Sequence, residues 1–299
     1  MPEGDTIFRA ARSLDRILTG RRLVRFELRP GGPGAAAMGG ALRPRPGELV
    51  TSVRSQGKHL LIGFEGGLTL HTHLQMHGGW HAYRPGERWK KSPRSVRVVM
   101  EVADAAEPDV AVAVAVCFAA PVVELLEDVA AHPRLAALGP DLCRPDADVA
   151  DAVARLDRLP PDSEIGTALL DQRVACGVGN VYKSETLFAC RVNPFTPVRA
   201  LPDGVRRRLL ETASRLLRSN LEAAGGRSTV GAAGETGALG PARRGGLAVY
   251  GRAGRPCRRC GTIIRSRRQA SGRMTYWCPT CQAGGMPGDP PVSPTSRTR

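Results

Sequence analysis

Long apolar runs are absent from this chain of 299 residues. None reaches the roughly 20 residues of a membrane-spanning helix, and the first six residues lack the basic segment of a secretory signal. The sequence therefore predicts no membrane segment, no signal peptide and a cytoplasmic location. Hydrophobic residues make up 42% of the chain, which is ordinary for a globular protein, and the length allows two domains with a well-buried core.

Acidic residues are scarce, and lysine is rarer still. The chain carries 43 lysines and arginines against 28 aspartates and glutamates, a net charge of +15, and only four of the basic residues are lysine. Residues 241–280 hold ten arginines and no acidic residue. A basic proteome or a need for solubility could raise the total charge. Its concentration in one segment instead indicates a polyanionic partner, with nucleic acid the first candidate.

The eight cysteines fall into two groups. Four are scattered singly and are predicted to be small buried hydrophobic residues: Cys117, Cys143, Cys176 and Cys190. The others form two C-x2-C pairs separated by seventeen residues, a spacing typical of zinc sites: Cys257, Cys260, Cys278 and Cys281. Four thiolates leave no open coordination position, so the predicted zinc is structural. Disulfides are the alternative, which a cytoplasmic location disfavours.

The first half of the chain is predicted to combine one helix with a sheet structure. Apolar residues at helical spacing predict a helix over 7–18, capped by Asp5 or Thr6, and the Gly/Ala/Pro-rich segment 30–47 is predicted to be a surface loop. Short apolar runs then predict an antiparallel sandwich or barrel: 48–53, 59–64, 68–73, 96–102, 110–118 and 122–126. Residues 110–116 would also suit a helix, but their β-branched side chains favour a strand.

Helices are predicted to dominate after residue 133, over 148–159, 163–173, 180–190 and 203–224. A glycine-rich turn opens the third of these and places backbone N–H groups and the Asn180 amide at a helix N-terminus, a natural phosphate site. A plain helix-turn-helix corner is the alternative. Toward the end of the chain, 225–246 is predicted to be flexible, 262–264 and 274–277 to be the strands of a hairpin, and 282–299 to be a disordered tail.

The first three residues carry candidate chemistry. If Met1 is removed, Pro2 presents a secondary amine with a pKa of about 7.7–8.0, which can form an iminium with an electrophilic carbon. Glu3 follows at once and can give or take protons beside that amine. An ordinary processed terminus is the alternative.

Three features of the predicted strand region are also candidates for functional residues. Lys58 is an isolated lysine, for which simple solvation is the alternative. His71 and His73 could suggest a second metal site, but a wet strand edge is preferred. Met76 is apolar within a polar turn, which would suit a wedge inserted into a base stack.

Six motifs stand in one order along the chain: Met1-Pro-Glu-Gly, Gly57-Lys-His-Leu-Leu, His73-Leu-Gln-Met-His-Gly, Leu170-Asp-Gln-Arg, Gly177-Val-Gly-Asn-Val-Tyr and the cysteine finger. Together they resemble the formamidopyrimidine-DNA glycosylase/endonuclease VIII family of base-excision repair enzymes, over residues 2–282. The opening residues and the end of the finger, Tyr276-Trp-Cys-Pro-Thr-Cys-Gln, look closest to the endonuclease VIII-like branch from actinobacteria.

The resemblance implies an α+β fold in four parts. These are an N-terminal antiparallel β-sandwich with an N-terminal helix (1–127), a helical helix-two-turns-helix domain (128–226), a zinc-finger β-hairpin (245–283) and a disordered tail (284–299). It also implies a bifunctional DNA glycosylase/AP lyase that removes oxidised bases and nicks the strand by β/δ-elimination. Its partner would be damaged double-stranded DNA, with one structural zinc, no nucleotide cofactor, no membrane, a monomeric state and a nucleoid association.

Particular residues take on roles by the same resemblance. Pro2 would attack C1′ of the damaged nucleotide, and Glu3 would serve as the proton donor. Lys58 would contact phosphate and assist β-elimination, and Arg273 would assist δ-elimination. The implied DNA-binding residues are His73, Gln75, Met76, His77 and Asn180; Gln75, Met76 and His77 would fill the space of the flipped nucleotide, and Asn180 would grip phosphate together with Arg273.

Departures from the family pattern narrow the expected substrate. Thr6 stands where an acidic residue is frequent, and Ala137 stands where the usual endonuclease VIII pattern has an arginine, with Arg134 nearby. The Arg-Phe wedge of formamidopyrimidine glycosylases has no match around residues 118–122, which favours oxidised pyrimidines. The alternatives are the same chemistry on oxidised purines (8-oxoguanine or formamidopyrimidine) and a non-catalytic zinc-ribbon protein that binds DNA.

Overall fold

The computed structural model describes residues 2–29, 43–222, 246–269 and 272–283. The chain divides into two compact units, one formed by 1–138 with 220–240 and the other by 139–219 with 241–299. Most of the predicted loop 30–47, nearly all of the predicted flexible segment 225–246 and the predicted tail 284–299 lie outside the described residues. No helix in the described ranges is long and apolar enough to cross a bilayer.

Helix α1 opens the first unit over Gly4–Leu18. Its predicted apolar stripe is confirmed, because Ile7, Ala11, Leu14 and Leu18 are all buried. The predicted cap is wrong. The helix begins one turn earlier, with Glu3 as its N-cap residue, and Asp5 and Thr6 are buried inside the first turn.

Eight antiparallel strands form two four-stranded sheets in the first unit. The strands are β1 Arg22–Leu28, β2 Val50–Gln56, β3 His59–Phe64, β4 Thr69–His73, β5 Gly79–Tyr83, β6 Val96–Ala103, β7 Ala111–Phe118 and β8 Val122–Leu126. One sheet has the order β1-β6-β7-β5 and the other β2-β3-β4-β8. The strand prediction for 110–116 is confirmed. Sequence analysis missed β1, whose apolar residues are interrupted by arginine and glutamate, and β5, which contains glycine and histidine.

The main hydrophobic core of the first unit lies between the sheets and α1. It takes Leu60 and Ile62 from β3, Leu70 from β4, Val98 from β6 and Leu14 from α1. Because side chains alternate across a strand, the residues between these core positions face the other side of the second sheet. That outer face carries the histidines of β3 and β4.

Short helices and one long helix follow the sandwich. They are α2 Pro133–Ala136, α3 Val149–Asp157, α4 Ile165–Ala168, α5 Asn180–Ala189 and α6 Asp203–Glu222. The side chain of Asp148 caps α3 by accepting from the Asp151 N–H at 2.9 Å.

The predicted helix over 163–173 is wrong, since only the single turn of α4 forms. The N–H groups of Ile165 and Gly166 donate to the carbonyls of Thr196 and Pro194 at 2.9 and 2.8 Å. These bonds anchor the start of α4 to a neighbouring loop. Beyond Ala168 the segment continues as turns, in which the N–H groups of Leu170 and Asp171 donate three residues back, to Thr167 O and Ala168 O.

A two-stranded hairpin completes the second unit, with β9 Arg265–Arg268 paired to β10 Met274–Trp277. The second strand was predicted correctly and the first was placed too early. Residues 262–264 instead close the first cysteine knuckle, because the Cys257 N–H donates to Thr262 O at 2.8 Å and the Ile264 N–H donates to Arg255 O at 2.9 Å. The four singly placed cysteines are buried as predicted.

Candidate active site and DNA interface

The N-terminal residues lie at the start of α1. Pro2 is half-buried, and Glu3 is completely buried. The Glu3 carbonyl accepts from the Thr6 and Ile7 N–H groups at 3.0 and 3.1 Å, which fixes the backbone of residue 3 as the helix begins. The helix N-terminus carries partial positive charge, so a carboxyl group at this position lies in a favourable field. Pro2 and Glu3 are adjacent and directly precede α1.

Asp5 supplies a second buried carboxyl group that sequence analysis used only as a possible cap. Its Oδ2 accepts a hydrogen bond from Asn220 Nδ2, and its Oδ1 lies 3.3 Å from the Thr6 hydroxyl. Sequence analysis noted that Thr6 stands at a position where an acidic residue is frequent. In this protein the acidic residue, Asp5, lies one position earlier in the same helical turn.

Lys58 occupies the tight turn between β2 and β3, where Gly57 has a positive φ of 58°. The next residue, His59, pairs with His73 of β4 in the ladder. Burial, followed by the neighbouring His71 and the ammonium group of Lys58, lowers the pKa of His73 to about 4. The structure therefore brings together Lys58 and His73, two of the predicted site residues.

The turn between β4 and β5 presents Gln75, Met76 and His77, and all three are exposed. Met76 is 53% exposed, and Gln75 adopts a positive φ of 45°. A Cβ at Gly78 would come within 2.6 Å of Leu74 O, so this sharp turn requires glycine. The three side chains are displayed on one projecting turn, which fits the predicted wedge.

The histidines of β4 do not lie at a wet strand edge, so that interpretation is wrong. β4 is an inner strand between β3 and β8, and His71 is fully buried. His71 Nε2 lies 2.8 Å from His59 Nδ1, and His71 Nδ1 lies 2.9 Å from a Glu124 carboxylate oxygen.

In the second unit, the glycine turn before α5 forms as predicted. Gly177 has a φ of 103°, and Gly179 is the N-cap residue of α5. Gln172 braces this turn: its Oε1 accepts from the Gly177 N–H at 3.1 Å, and its Nε2 donates to Val178 O at 3.1 Å. The Leu170-Asp-Gln-Arg motif therefore has a physical role, which is to hold the loop that opens α5.

Asn180 is the first residue of α5 and links the turn to the hairpin. Its Nδ2 donates to Met274 O at 2.7 Å, one residue beyond the exposed Arg273. Its Oδ1 is buried and has no hydrogen-bond partner among the described residues. The contact fixes Asn180 against the backbone of the residue that follows Arg273.

Two residues of α5 that sequence analysis did not assign also bind the C-terminal part of the chain, one at the hairpin and one at residues 248–250, which precede the first cysteine knuckle. Lys183 is fully buried and donates to the Thr275 hydroxyl at 2.7 Å. The Glu185 carboxylate accepts from three consecutive backbone N–H groups, those of residues 248–250, at 2.8–3.0 Å. A charged residue on an otherwise apolar helical face was the signal available in the sequence.

The four cysteines of the two knuckles converge at one point. Their Sγ atoms all lie within 4.8 Å of one another, with 3.9 Å between Cys257 and Cys281 and 3.4 Å between Cys260 and Cys278. A tetrahedral zinc with bonds of about 2.3 Å needs sulfur separations of roughly 3.8 Å, so the set fits one structural zinc. Without a cation, burial raises the pKa of the Cys278 thiol to about 11, and bound zinc would hold it as thiolate.

The hairpin beside the zinc site presents a strongly basic surface. All four residues of β9, Arg-Ser-Arg-Arg, are exposed, and so is Arg273. The Arg267 guanidinium lies 3.8 Å from the ring centre of Phe195, which fixes its direction. Four of the ten arginines of residues 241–280 therefore lie on or between the strands of this hairpin.

Comparison with known proteins matches three family models along the chain. The formamidopyrimidine-DNA glycosylase N-terminal domain covers residues 1–111, the formamidopyrimidine-DNA glycosylase H2TH domain covers 138–231, and the zinc finger found in FPG and IleRS covers 254–284. The third match agrees with the geometry of the four cysteines, so the finger holds one structural zinc.

Similar proteins span nearly the whole chain. A probable endonuclease 8 2 of Streptomyces coelicolor is 42% identical over 291 residues, covering 96% of each chain. A DNA-(apurinic or apyrimidinic site) lyase Nei2 of Mycolicibacterium smegmatis is 38% identical and covers 94% of this chain and 99% of its own. The fold matches that of Lactococcus lactis FPG in complex with Fapy-dG-containing DNA, with a TM-score of 0.73, 21% identity, and coverage of 95% of this chain and 100% of the other. The chain belongs to the formamidopyrimidine-DNA glycosylase/endonuclease VIII family of base-excision repair enzymes.

Proposed function

We propose that this enzyme removes oxidised pyrimidines from double-stranded DNA and that Pro2 is its nucleophile. The activity class follows from the family: a bifunctional DNA glycosylase/AP lyase acting in base excision repair. The lesion, the residue roles and the assembly are proposals, and each rests on a feature of the described residues.

The chemistry proposed for the N-terminus begins after removal of Met1. The Pro2 amine attacks C1′ of the flipped nucleotide, the base leaves with a proton delivered by Glu3, and an iminium joins Pro2 to the opened sugar. Loss of a proton from C2′ then expels the 3′ phosphate, and a second elimination expels the 5′ phosphate. The observation that supports this proposal is the fully buried Glu3 adjacent to Pro2 at the start of α1.

The turns of the first unit would hold the DNA around that nucleotide. Lys58 would contact a phosphate and assist β-elimination, with His73 beside it. Gln75, Met76 and His77 would enter the space left by the flipped nucleotide, because their turn projects an exposed apolar side chain.

Two residues of the second unit would bind phosphates beside the lesion. Asn180 starts α5, where backbone N–H groups and the helix dipole favour an anion, and its side chain contacts the hairpin residue that follows Arg273. Arg273 would add a charge-assisted phosphate contact and assist δ-elimination.

The lesion class is argued from the turn between β7 and β8. Phe118 is fully buried and packs with Val99 and Val116, and the turn that follows it carries alanine and proline without an arginine. An Arg-Phe wedge of the kind used against oxidised purines is therefore not available from this turn. Removal of oxidised purines is the second candidate, and it would require that wedge from another segment.

A panel of duplexes tests this assignment. Matched oligonucleotides would carry thymine glycol, dihydrouracil, 8-oxoguanine or a preformed abasic site. Faster excision of the two oxidised pyrimidines than of 8-oxoguanine supports the proposal. Cleavage of the duplex with a preformed abasic site shows that the lyase step is active in the same preparation. A preference for 8-oxoguanine would overturn the lesion class while leaving the glycosylase/lyase class intact.

The remaining proposals concern organisation. We place the domain limits at 1–127, 128–226 and 245–283, with a tail at 284–299. The enzyme would act as a monomer without a nucleotide cofactor and would associate with the nucleoid through DNA. Size-exclusion chromatography with light scattering tests the monomer directly.

A further inference from the structure

A polar cluster covers the outer face of the second sheet, on the side away from the sandwich core. It contains four of the six histidines of the chain and one carboxylate. The two innermost contacts join His59 to His71 at 2.8 Å and His71 to Glu124 at 2.9 Å. His132, just before α2, adds a third contact, from its Nε2 to the same Glu124 oxygen at 3.2 Å.

This geometry aims two imidazole nitrogens at one carboxylate oxygen. His71 Nδ1, His132 Nε2 and a Glu124 oxygen all lie within 4.8 Å of one another. Zinc bound to nitrogen and oxygen at about 2.0–2.1 Å needs donor separations of roughly 3.3 Å in a tetrahedron. The His71–Glu124 and His132–Glu124 distances of 2.9 and 3.2 Å lie close to that value, so small side-chain movements would suffice.

We propose that His71, Glu124 and His132 form a second metal site, which takes a zinc ion and leaves one coordination position for water. The set of two histidines and one glutamate is a zinc donor set of the open type. The proposal does not depend on the proposed lesion or on the roles of Pro2 and Glu3.

The surroundings of His71 suit a metal ligand. A metal-bound histidine generally hydrogen-bonds through its other ring nitrogen, and His71 has that partner in His59. Binding at Nδ1 places the His71 proton on Nε2, which then donates to His59 Nδ1, so the pair changes tautomer without net loss of a proton.

His132 can make the matching change. Its Nδ1 is buried and has no hydrogen-bond partner in the described part of the chain, so that nitrogen can carry the proton when Nε2 binds metal. Arg134 lies close enough to lower the pKa of His71. Its positive charge opposes a dication, so we expect the site to bind zinc more weakly than the four-cysteine finger does.

A metal here would join three segments of the first unit. His71 belongs to β4, Glu124 to β8, and His132 precedes α2. β4 leads directly into the Gln75–His77 turn, so the bound ion would stiffen the base of that turn.

Metal content of the full-length, finger-loaded protein tests the proposal. After equilibrium dialysis against micromolar free Zn²⁺, wild type should hold two equivalents. Glu124→Gln keeps an oxygen that can accept from both imidazoles but removes the carboxylate ligand, and it should hold one equivalent, as should His132→Ala. The control His77→Ala changes an exposed histidine outside the cluster and should keep two.

Cobalt distinguishes the two sites. The finger should give intense sulfur-to-metal absorption, whereas the second equivalent should add only weak d–d bands, and these should disappear in Glu124→Gln. Wild type that saturates at one equivalent would overturn the proposal. A second equivalent that survives both Glu124→Gln and His132→Ala would do the same.

Discussion

Glu3 combines a carboxyl group with complete burial directly beside the proposed nucleophile. An ionisable group is seldom buried without a function or a partner, and the first turn of α1 provides the favourable dipole field. The backbone of residue 3 is fixed by two hydrogen bonds from the helix. The carboxyl is therefore shielded from water beside the proposed nucleophile, and burial favours the protonated form that a proton donor needs.

Replacing Glu3 with glutamine removes the proton donor without changing side-chain size. Excision of dihydrouracil or thymine glycol should fall by about 10²–10⁴-fold, the usual contribution of general acid–base catalysis. Scission of preformed abasic sites should persist in part, because the Pro2 amine and Lys58 remain. Single-turnover assays on the two substrates measure both effects, with Glu107→Gln in an exposed loop of the same unit as control. Equal excision by wild type and Glu3→Gln would reject this role.

The charge of Lys58 and the pKa of His73 are electrostatically coupled. The positive charge of Lys58 contributes to the low pKa of His73, about 4, so Lys58→Met should raise that pKa. It should stay below the ordinary value of about 6.5, because burial is the largest cause of the shift. Titration of the imidazole signals by NMR measures the change.

A matched control exists in the same unit. Burial and then the charges of Lys91 and Lys90 lower the pKa of His81 to about 4. Lys91→Met should therefore raise the pKa of His81 and leave that of His73 unchanged. An unchanged His73 pKa in Lys58→Met would show that the two side chains are not neighbours in solution.

At the scale of elements, the order of the β9–β10 hairpin depends on the zinc ion that the four cysteines bind. Structural zinc sites contribute about 10–16 kcal/mol of apparent binding energy, which exceeds what a segment of this size gains from its own core. Cys278→Ser should lose zinc and disorder β9 and β10, while the sandwich stays folded. Elemental analysis and circular dichroism on one preparation measure both, and a full equivalent of finger zinc in this variant would contradict the account.

Arg273→Ala separates the phosphate contact from the metal. Zinc should stay bound, while affinity for abasic-site DNA falls by about 1.5–3 kcal/mol, the usual value for a hydrogen bond to a charged group. The slope of log affinity against log salt should also decrease in magnitude by about one unit. Arg255→Ala, an exposed arginine of the same module outside the hairpin, should lose less. Wild-type affinity and slope in Arg273→Ala would contradict the phosphate role.

Secondary structure was predictable from sequence where side-chain periodicity matched burial. The α1 stripe was predicted because its apolar residues follow the helical period, and strands β3, β7 and β8 because each is a short apolar run. The segment 163–173 was predicted wrongly, because the N–H groups of Leu170 and Asp171 close tight turns on Thr167 and Ala168, which apolar spacing does not reveal. Residues 262–264 were predicted wrongly because the cysteine knuckle uses their backbone groups.

Some residues of the candidate site could also be predicted from the sequence, and others could not. Pro2, Glu3 and the four cysteines could be predicted because their chemistry follows from type and spacing. The burial of Asp5 and the His59–His71–Glu124 contacts could not, since they depend on which strand lies beside which. Gln172 was visible as part of a motif, but its bracing of the Gly177 turn required the folded loop.

For the molecule as a whole, positive charge and nucleophile lie in different parts of the chain. The net charge of +15 supplies attraction to DNA of any sequence, and four arginines lie on or between the strands of the hairpin. The covalent step belongs to the first unit alone in the proposed mechanism. Binding and the covalent step should therefore separate in variants. The finger variants should weaken binding, whereas a blocked Pro2 amine should abolish the covalent step on DNA that is still bound.

The central claim is that the amine of Pro2 becomes covalently joined to DNA during the reaction. Borohydride reduces an iminium to a stable amine, so it should trap the mature protein on a duplex with an abasic site, and peptide mapping should place the adduct at Pro2. A protein that retains Met1 or carries an N-terminal extension has Pro2 in an ordinary amide, and it should bind the same duplex but give no trapped complex. Undiminished trapping by the blocked protein, or an adduct on a lysine in the mature one, would contradict the account.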